Sequence, residues 1–429
     1  MRYDTLQDWL QWLETCHPSE IDLGLARVGH VAELMALSLG DTKVVTVAGT
    51  NGKGSCVASL NALLLSAGYQ VGCFTSPHFL RYNERILLNG QQVTDQLLIE
   101  SFQRIDQARG DISLTYFEFG TLAALDIFQR QQLDVVILEV GLGGRLDAVN
   151  IIDADIAIVT SIDIDHQQWL GTDREVIGRE KAGIFRAGKV AISAGNTPPA
   201  SLRASAQACA AIFYQAGEHF RASSNPAVQN WSWKGLSVTG TAFELYDLPA
   251  VSLPPESVVA AIQALHLLDL SMHRVDYSCL ARINLPGRFQ QVFIEKRQVI
   301  LDVAHNPAAA DYLAQRLQQE ASAGRTFALM GVMADKDVEG IISALRECVS
   351  VWFIADLQHC PRALAAPVLA DKVEKLTKAD VRSFTSIAEA ARVALQQMTD
   401  EDRLIVFGSF ITVAEMLVLL PLNNLEVTE

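Results

Sequence analysis

The sequence contains no Cys-x-x-Cys pair, and its seven cysteines are scattered and odd in number. This pattern argues against a zinc site or a disulfide framework and predicts reduced thiols in a cytoplasmic protein. No uncharged apolar run of about 18 residues occurs, and the first residues lack the basic-then-apolar order of a signal peptide. We therefore expect a folded cytoplasmic protein with no membrane attachment.

Positive charge is scarce. The chain has 34 Lys and Arg against 49 Asp and Glu, which gives a formal net charge of −15. A molecule with this charge repels polyanions, so we expect neither nucleic acid nor an anionic membrane as a partner. Any anionic ligand must then be held by local cations and by backbone N–H groups.

Several short runs of Val, Ile and Leu alternate with segments long enough for helices. Continuous apolar runs are typical of parallel strands buried on both faces, and the intervening segments suit helical crossovers. We therefore predict an α/β protein, and a length of 429 residues favours two domains. The predicted strands lie at residues 44–48, 134–139, 156–161, 299–303, 327–332, 352–355 and 404–407.

The turn after the first predicted strand has the composition of a phosphate-binding loop. Three glycines between residues 49 and 54 let successive N–H groups face one oxyanion, and an amphipathic helix is predicted to follow as far as about Gly68. Lys53 adds positive charge and Ser55 a hydroxyl. The spacing misses the strict Walker pattern, so a plain strand-to-helix turn with a surface lysine stays open. The residues predicted to contact ATP here are Thr50, Asn51, Gly52, Lys53, Gly54 and Ser55.

An acid, an imidazole and an amine follow the next strands. Glu139 ends an apolar strand that opens into glycines, where parallel sheets present ligands to a metal-bound nucleotide; a helix cap or a salt bridge to Arg145 is the alternative. His166 follows Asp165 at the end of another strand and indicates a second cation. Lys181 lies in a segment whose two cations and one acid would normally form a solvated helix face.

A domain break is predicted at residues 285–289, where a Pro-Gly pair precedes a new series of strands and helices. We predict a P-loop-type domain with a mainly parallel sheet over residues 1–284 and a linker over 285–290. A smaller, Rossmann-like α/β domain would follow over residues 291–429. Residues 196–255 are predicted to form a peripheral hairpin and loops.

Seven separated motifs resemble, in the same order, those of the folylpolyglutamate synthases, a family within the Mur-ligase-like ATP-dependent amide ligases. The resemblance covers essentially the whole chain. Two further segments, 21–25 and 112–120, resemble the bacterial bifunctional dihydrofolate synthase/folylpolyglutamate synthases. The seven motifs lie at residues 49–55, 75–78, 138–147, 165–166, 179–185, 285–289 and 302–307.

This resemblance implies an ADP-forming ligase. It implies ligation of L-glutamate to dihydropteroate, which forms dihydrofolate, and to reduced folates, through an acyl-phosphate intermediate. The implied cofactors are ATP and two Mg²⁺ ions, the partners are these small molecules alone, and the implied state is a monomer. The first domain would then bind ATP and pteroate.

The resemblance also implies a metal site. Ser76 and Glu139 would bind one Mg²⁺, and His166 would bind the other. Lys181 would be carbamylated, which converts a cation into a carboxylate-like group that supports the second metal.

Further roles implied by the resemblance fall on both domains. Arg288 and Asp302 would contact ATP and place it between the domains. The family often has an asparagine near the position of Ser257, so a nucleotide contact expected there is open. His305 would contact the incoming amino acid or the nucleotide, or it caps the next helix. The residues predicted to be catalytic are Lys53, Lys181 and His305. For Asp22 and Phe117, the alternative to ligand binding is capping and core packing. The residues predicted to line the dihydropteroate site are Asp22, Leu23, Gly24, Leu25, Phe117, Glu118, Phe119, Gly120, Leu146, Asp147 and Ala148.

Two other functions are weighed against this one. A peptidoglycan Mur ligase would use a UDP-linked peptide, but 48 residues before Gly49 are too few for a separate UDP-binding domain. A nucleotide-dependent switch could use the phosphate loop without ligating anything. Glu139, His166 and the dihydropteroate-like segments argue against the switch, which would bind ATP with no glutamate-dependent turnover.

Overall fold

A computed structural model of the chain describes residues 2–224, 230–270, 274–320 and 322–420. It has an α/β fold in two units, Met1–Ile283 and Asn284–Glu429. The predicted fold class is therefore confirmed, and all seven predicted strands are present. The separate linker over residues 285–290 stays a prediction.

The first unit is built on an eight-stranded sheet. Its strands are β1 (Lys43–Ala48), β2 (Val71–Phe74), β3 (Ile86–Leu88), β4 (Gln91–Gln92), β5 (Val135–Glu139), β6 (Ile156–Val159), β7 (Val190–Ser193) and β8 (Ile212–Gln215). They are arranged in the order β4-β3-β2-β5-β1-β6-β7-β8, and the six strands from β2 to β8 in this order are parallel. The central strand β1 is almost wholly buried, as its continuous apolar sequence predicts.

Nine α-helices accompany this sheet within the described residues. They are α1 (Leu6–Leu13), α2 (Ala26–Leu34), α3 (Lys53–Ser66), α4 (Asp95–Arg109), α5 (Tyr116–Gln129), α6 (Gln167–Leu170), α7 (Arg174–Lys181), α8 (Ala200–Ala208) and α9 (Pro255–Leu267). Short 3-10 helices cover Tyr82–Arg85, Ala148–Ile151, Ala182–Ile184 and Tyr277–Arg282.

The helix after the phosphate loop differs from its prediction. It ends at Ser66, close to Gly68 as expected, but it is not amphipathic, because half of its residues are buried and none is exposed. The physical reason is that α9 packs along it and covers the side that would otherwise face solvent. This contact also brings the start of α9 to the phosphate loop.

The region predicted to be a peripheral hairpin contains more regular structure than expected. A hairpin is present, because β10 (Trp231–Leu236) pairs antiparallel with β11 (Ala242–Leu248), and β9 (Arg221–Ala222) completes a three-stranded sheet. The same region also supplies α8 and the edge strand β8 of the large sheet. β8 has only four residues, and its first residue, Ile212, is exposed because an edge strand is not buried on both faces.

The second unit is a six-stranded sheet covered by helices. Its strands are β12 (Gln290–Ile294), β13 (Arg297–Leu301), β14 (Thr326–Met330), β15 (Val351–Ala355), β16 (Asp380–Phe384) and β17 (Arg403–Phe407), in the order β12-β13-β17-β14-β15-β16. Only β12 is antiparallel to its neighbour. The helices are α10 (Pro307–Gln319), α11 (Val338–Leu345), α12 (Ala366–Leu376), α13 (Ile387–Gln397) and α14 (Phe410–Leu419).

No helix among the described residues has the length and apolar character needed to cross a membrane.

Candidate active site

The polar residues of the site lie where four neighbouring parallel strands end. In the sheet register, Val47 of β1 lies beside Glu139 of β5, and Ala48 lies beside Val159 of β6. Phe74 at the end of β2 lies beside Leu138. The loops that leave these strands therefore meet at one edge of the sheet, which is where α/β proteins bind ligands.

The phosphate loop is held from outside by the residues that follow β6. Thr160 Oγ1 donates to the carbonyl of Asn51 at 2.7 Å, and Ser161 Oγ accepts from the N–H of Asn51 at 3.0 Å. The N–H of Thr50 donates to the carbonyl of Ser161 at 2.7 Å. A Cβ at Gly49 would lie 1.7 Å from Thr160 Oγ1, so this close approach requires glycine. We call this arrangement, with Ser257 described next, the loop clasp.

Ser257 in the first turn of α9 completes the loop clasp. Its Oγ donates to the carbonyl of Gly52 at 3.0 Å, and the side chain is buried. Gly52 has a φ of +84°, and a Cβ there would lie 2.4 Å from Ser257 Oγ. The serine found in place of the family's frequent asparagine therefore contacts the phosphate loop itself.

Replacing this hydroxyl tests its contribution to the loop. We expect Ser257→Ala to raise the KM for ATP about fivefold, because a net hydrogen bond contributes about 1 kcal/mol. Steady-state kinetics with varied ATP measure this change, with Ser252→Ala as the control because that hydroxyl bonds the carbonyl of Ile283 away from the loop. An unchanged KM for ATP would show that the Gly52 carbonyl needs no such contact.

Two lysines meet at the carbonyl of Gly49. Lys53 Nζ donates to it at 3.1 Å and to the carbonyl of Thr50 at 3.3 Å, while Lys181 Nζ donates to it at 3.0 Å. Lys181 is buried, which contradicts the alternative of a solvated helix face. Burial and the nearby charge of Lys53 lower the pKa of Lys181 to about 7. A lysine with this pKa is largely a neutral, nucleophilic amine near physiological pH.

A buried carboxylate faces the start of α3. Glu139 Oε2 accepts from the N–H of Ser76 at 3.3 Å, and it would lie 3.8 Å from a Cβ placed on Gly54. Arg145 pairs with Glu180 instead, so the salt bridge considered for Glu139 is not formed. Ser55 Oγ is fully buried and has no hydrogen-bond partner among the described residues. An unsatisfied hydroxyl beside a buried carboxylate is suited to a cation that also carries phosphate oxygens.

Asp165 and His166 lie at the turn into α6. Asp165 is buried and accepts the N–H of His166 at 2.7 Å, and His166 has a left-handed backbone with a φ of +51°. Over the described residues, no group of three or more His, Cys, Asp or Glu side chains is arranged to hold a metal. The predicted metal ligands are thus brought to one edge of the sheet but do not form such a cluster, and metal binding by them stays a prediction.

The dihydropteroate-like segments pack together around the start of α5. Phe117 is half-buried, with its ring centroid 5.7 Å from that of Phe74. Glu118 forms a capping box with Thr115, and Phe119 is fully buried between Trp12 and Phe102. The ring of Phe119 faces the core, and ligand contact by Phe119 stays a prediction. For the other members, Asp22, Leu23, Gly24, Leu25, Gly120, Leu146 and Ala148, ligand contact stays a prediction.

Asp147 is buried within the loop after β5. Its Oδ2 accepts the N–H of Leu142 at 2.8 Å, and its Oδ1 accepts that of Val149 at 3.1 Å. Burial raises the pKa of Asp147 to about 6, although these N–H groups oppose the shift. The carboxylate therefore shapes the loop, and a contact with ligand stays a prediction.

In the second unit, Asp302 and His305 follow β13, and Arg288 precedes β12. Asp302 accepts N–H groups from Phe289 and Ala304, each at 2.8 Å, and burial raises its pKa. Arg288 lies over the ring of Phe410, 5.1 Å from its centroid. His305 Nδ1 bonds the carbonyl of Val303, and Asn306 caps α10, so the alternative that His305 caps this helix is wrong.

Comparison with known proteins identifies related enzymes. Residues 287–410 match the family model described as the Mur ligase, glutamate ligase domain. The dihydrofolate synthase/folylpolyglutamate synthase of Escherichia coli (strain K12) is 44% identical over 414 residues, which are 96% of this chain and 94% of the relative. The corresponding protein of Haemophilus influenzae is 39% identical, with 96% of both chains covered.

Solved structures give the same result. Escherichia coli FolC in complex with DHPP and ADP has a TM-score of 0.91 and 43% identity, and 98% of each chain is covered. A bifunctional folylpolyglutamate synthase/dihydrofolate synthase with Mn, AMPPNP and L-glutamate bound has a TM-score of 0.88 and 44% identity, again with 98% of each chain covered.

Proposed function

The chain belongs to the family of dihydrofolate synthase/folylpolyglutamate synthases, and from this premise we propose how its residues carry out the reaction. It is an ATP-dependent, ADP-forming ligase that joins L-glutamate to folates. The observation that carries the proposal is the meeting of the phosphate loop, a buried carboxylate and a buried amine at one sheet edge. The acceptors we propose are dihydropteroate and reduced folates, and we propose a cytoplasmic monomer.

The reaction must overcome the low reactivity of a carboxylate. A carboxylate oxygen of the folate attacks the γ-phosphorus of ATP, the bond to ADP breaks, and an acyl phosphate forms. The amine of glutamate then attacks the acyl carbon, phosphate leaves, and the amine loses its proton. Two anions must approach within about 3.5 Å in the first step, so the protein's contribution is positioning and positive charge. Lys53 and the N–H groups at the start of α3, which have no intrahelical partners, supply both.

The residues at the sheet edge fit a divalent cation. The unsatisfied Ser55 hydroxyl and the buried Glu139 carboxylate are oxygen donors, which Mg²⁺ prefers together with phosphate oxygens and water. We propose that Ser76 and Glu139 hold one Mg²⁺ and that His166 and the modified Lys181 hold the other. Such ions neutralise the developing charge on a transferred phosphoryl group.

We propose that Lys181 is carbamylated, a reaction that its burial favours. The neutral amine attacks the carbon of CO₂, an N–C bond forms, and the nitrogen releases a proton to solvent. The product is a carbamate anion in place of an ammonium. Two observations support the proposal: the low pKa of Lys181 makes the amine available, and the adjacent Lys53 favours an anion.

The experiment that tests the function measures ADP release with ATP, Mg²⁺ and L-glutamate, using dihydropteroate and tetrahydrofolate as acceptors in parallel reactions. We expect turnover with both acceptors and none without glutamate. Turnover with tetrahydrofolate alone would restrict the chain to polyglutamylation. ATP binding with no turnover on either acceptor would contradict the ligase.

A further inference from the structure

Arg27, the second residue of α2, bridges two segments that are far apart in sequence. Its Nη1 donates to Asp22 Oδ2 at 2.7 Å, and its Nη2 donates to the carbonyl of Asp22 at 3.0 Å. The same Nη2 donates to Glu118 Oε1 at 3.0 Å. One guanidinium therefore joins the segment 21–25 to the first turn of α5.

The α5 side of this bridge is rigid. Glu118 is buried, and its Oε2 accepts the N–H of Thr115 at 2.7 Å while Thr115 Oγ1 accepts the N–H of Glu118 at 3.2 Å. This reciprocal capping box fixes the carboxylate relative to the helix axis. The Glu118 carboxylate, to which Arg27 donates a hydrogen bond, thus has a defined position.

The other side of the bridge is a segment without regular structure. Residues 21–25 lie between α1 and α2, and Asp22 is 40% exposed. His17 Nε2 lies 3.2 Å from Asp22 Oδ2, and His17 Nδ1 lies 3.0 Å from Ser113 Oγ. No atom lies within 4 Å of a Cβ added to Gly24, so this part of the segment has open space beside it. Asp22 holds a fixed place through its ties to residues near α5.

A guanidinium suits this bridge for a geometric reason. Its planar fork can engage a carboxylate, a carbonyl and a second carboxylate at the same time, whereas the ammonium of lysine is a single point of charge. The two bridged segments are those to which the proposed function assigns the pteroyl group. Their relative position must be set before both can contact one ligand.

We propose that Arg27 is a positioning residue for pteroyl binding, which holds the segment 21–25 in register with the start of α5. This inference rests on the proposed function. The guanidinium bonds Asp22 and Glu118, and we assign it no contact with the reacting carboxylate or with ATP. Its loss therefore weakens binding of the pteroyl acceptor and leaves the ATP step intact.

The test compares Arg27→Met with Arg104→Met. Arg104 of α4 forms a bidentate pair with buried Asp126 further along α5, and Arg130 also pairs with Asp126, so the control removes an arginine that bonds α5 without touching the bridge. We expect Arg27→Met to raise the KM for dihydropteroate and tetrahydrofolate by about ten- to a hundredfold, the size expected for a misplaced binding segment. The KM for ATP and the kcat at saturating acceptor should change less than twofold. Equal KM values for acceptor in both variants would overturn the proposal.

A double-mutant cycle with Glu118→Gln separates positioning from direct contact. If Arg27 acts through Glu118, the double variant binds acceptor no more weakly than the weaker single variant. If the increases in acceptor KM of the two single variants multiply in the double variant, the proposal is overturned, because Arg27 would then contact the ligand itself. Arg27→Lys serves if Arg27→Met does not fold, and we expect it to raise the same KM. An unmodified chain that ligates neither acceptor would instead refute the proposed function.

Discussion

Lys53→Ala is expected to lower the rate of ADP release by about a thousandfold or more, while the protein remains folded. Removal of one charge-stabilising donor from an active site typically costs about 10²–10³ in kcat, and Lys53 both neutralises phosphate charge and orients it. Its ammonium donates to the backbone carbonyls of Gly49 and Thr50.

Glutamate-dependent ADP release at saturating ATP and acceptor measures this effect. Circular dichroism and thermal unfolding confirm that the fold is retained. Lys189→Ala is the matched control, because Lys189 is a half-exposed lysine of the same unit that pairs with Asp155 away from the loop. An unchanged rate in Lys53→Ala would discard the assignment of residues 49–55 as the phosphate loop.

Lys181→Met is expected to lower kcat by about 10²–10³, with little change in the KM for ATP. Methionine has nearly the length of lysine and suits the buried position, but it cannot form a carbamate or donate to the Gly49 carbonyl. The same measurement with Lys189→Met controls for removal of a lysine. Activity at the level of the unmodified protein would contradict a role for Lys181 in the reaction.

Carbamylation gives this prediction a pH dependence. The pKa of about 7 lies well below the ordinary 10.5, so the amine is mostly neutral above pH 7 and mostly protonated below it. We expect bicarbonate to restore the activity of CO₂-depleted enzyme at pH 8 and to do so poorly at pH 6. ¹³C-labelled bicarbonate should give a carbamate NMR signal that Lys181→Met lacks.

The stability of the unmodified chain should follow the same pKa. Between pH 7 and pH 10.5 the unfolded chain binds more protons at Lys181 than the folded chain does, so this lysine makes the folded state more stable as pH rises through that window.

A crystal map with an unmodified ammonium at Lys181 and both metals present would refute the carbamate.

Sequence patterns predicted seven of the strands, because long strands that are buried on both faces are continuously apolar. They did not predict the buried strand β7, which has only four residues. They missed β2, whose four residues include Gly72, and β16, whose Asp380, Arg382 and Ser383 lie at an exposed edge. The predicted amphipathic helix α3 proved buried, because its partner α9 begins about 190 residues later and no local pattern reveals that contact.

The sequence predicted those residues of the site whose reactive side chains come directly after a strand. Lys53, Glu139 and His166 each come within a few residues of a strand end, so topology alone brings them to one edge of the sheet. The contacts of Thr160 and Ser257 with the phosphate loop were not predictable, since 109 and 205 residues separate the bonded pairs. The contact of Arg27 with Glu118 was not predictable for the same reason, because the two residues are 91 positions apart in the sequence.

The loop clasp has a thermodynamic consequence. The peptide groups of Thr50 and Asn51 and the carbonyl of Gly52 are bonded to protein atoms of other segments. Ordering a loop residue costs about 1–2 kcal/mol in conformational entropy, and here that cost is met during folding. ATP then encounters a cradle already shaped for phosphate, so most of the interaction free energy remains available to hold the nucleotide and its transition state.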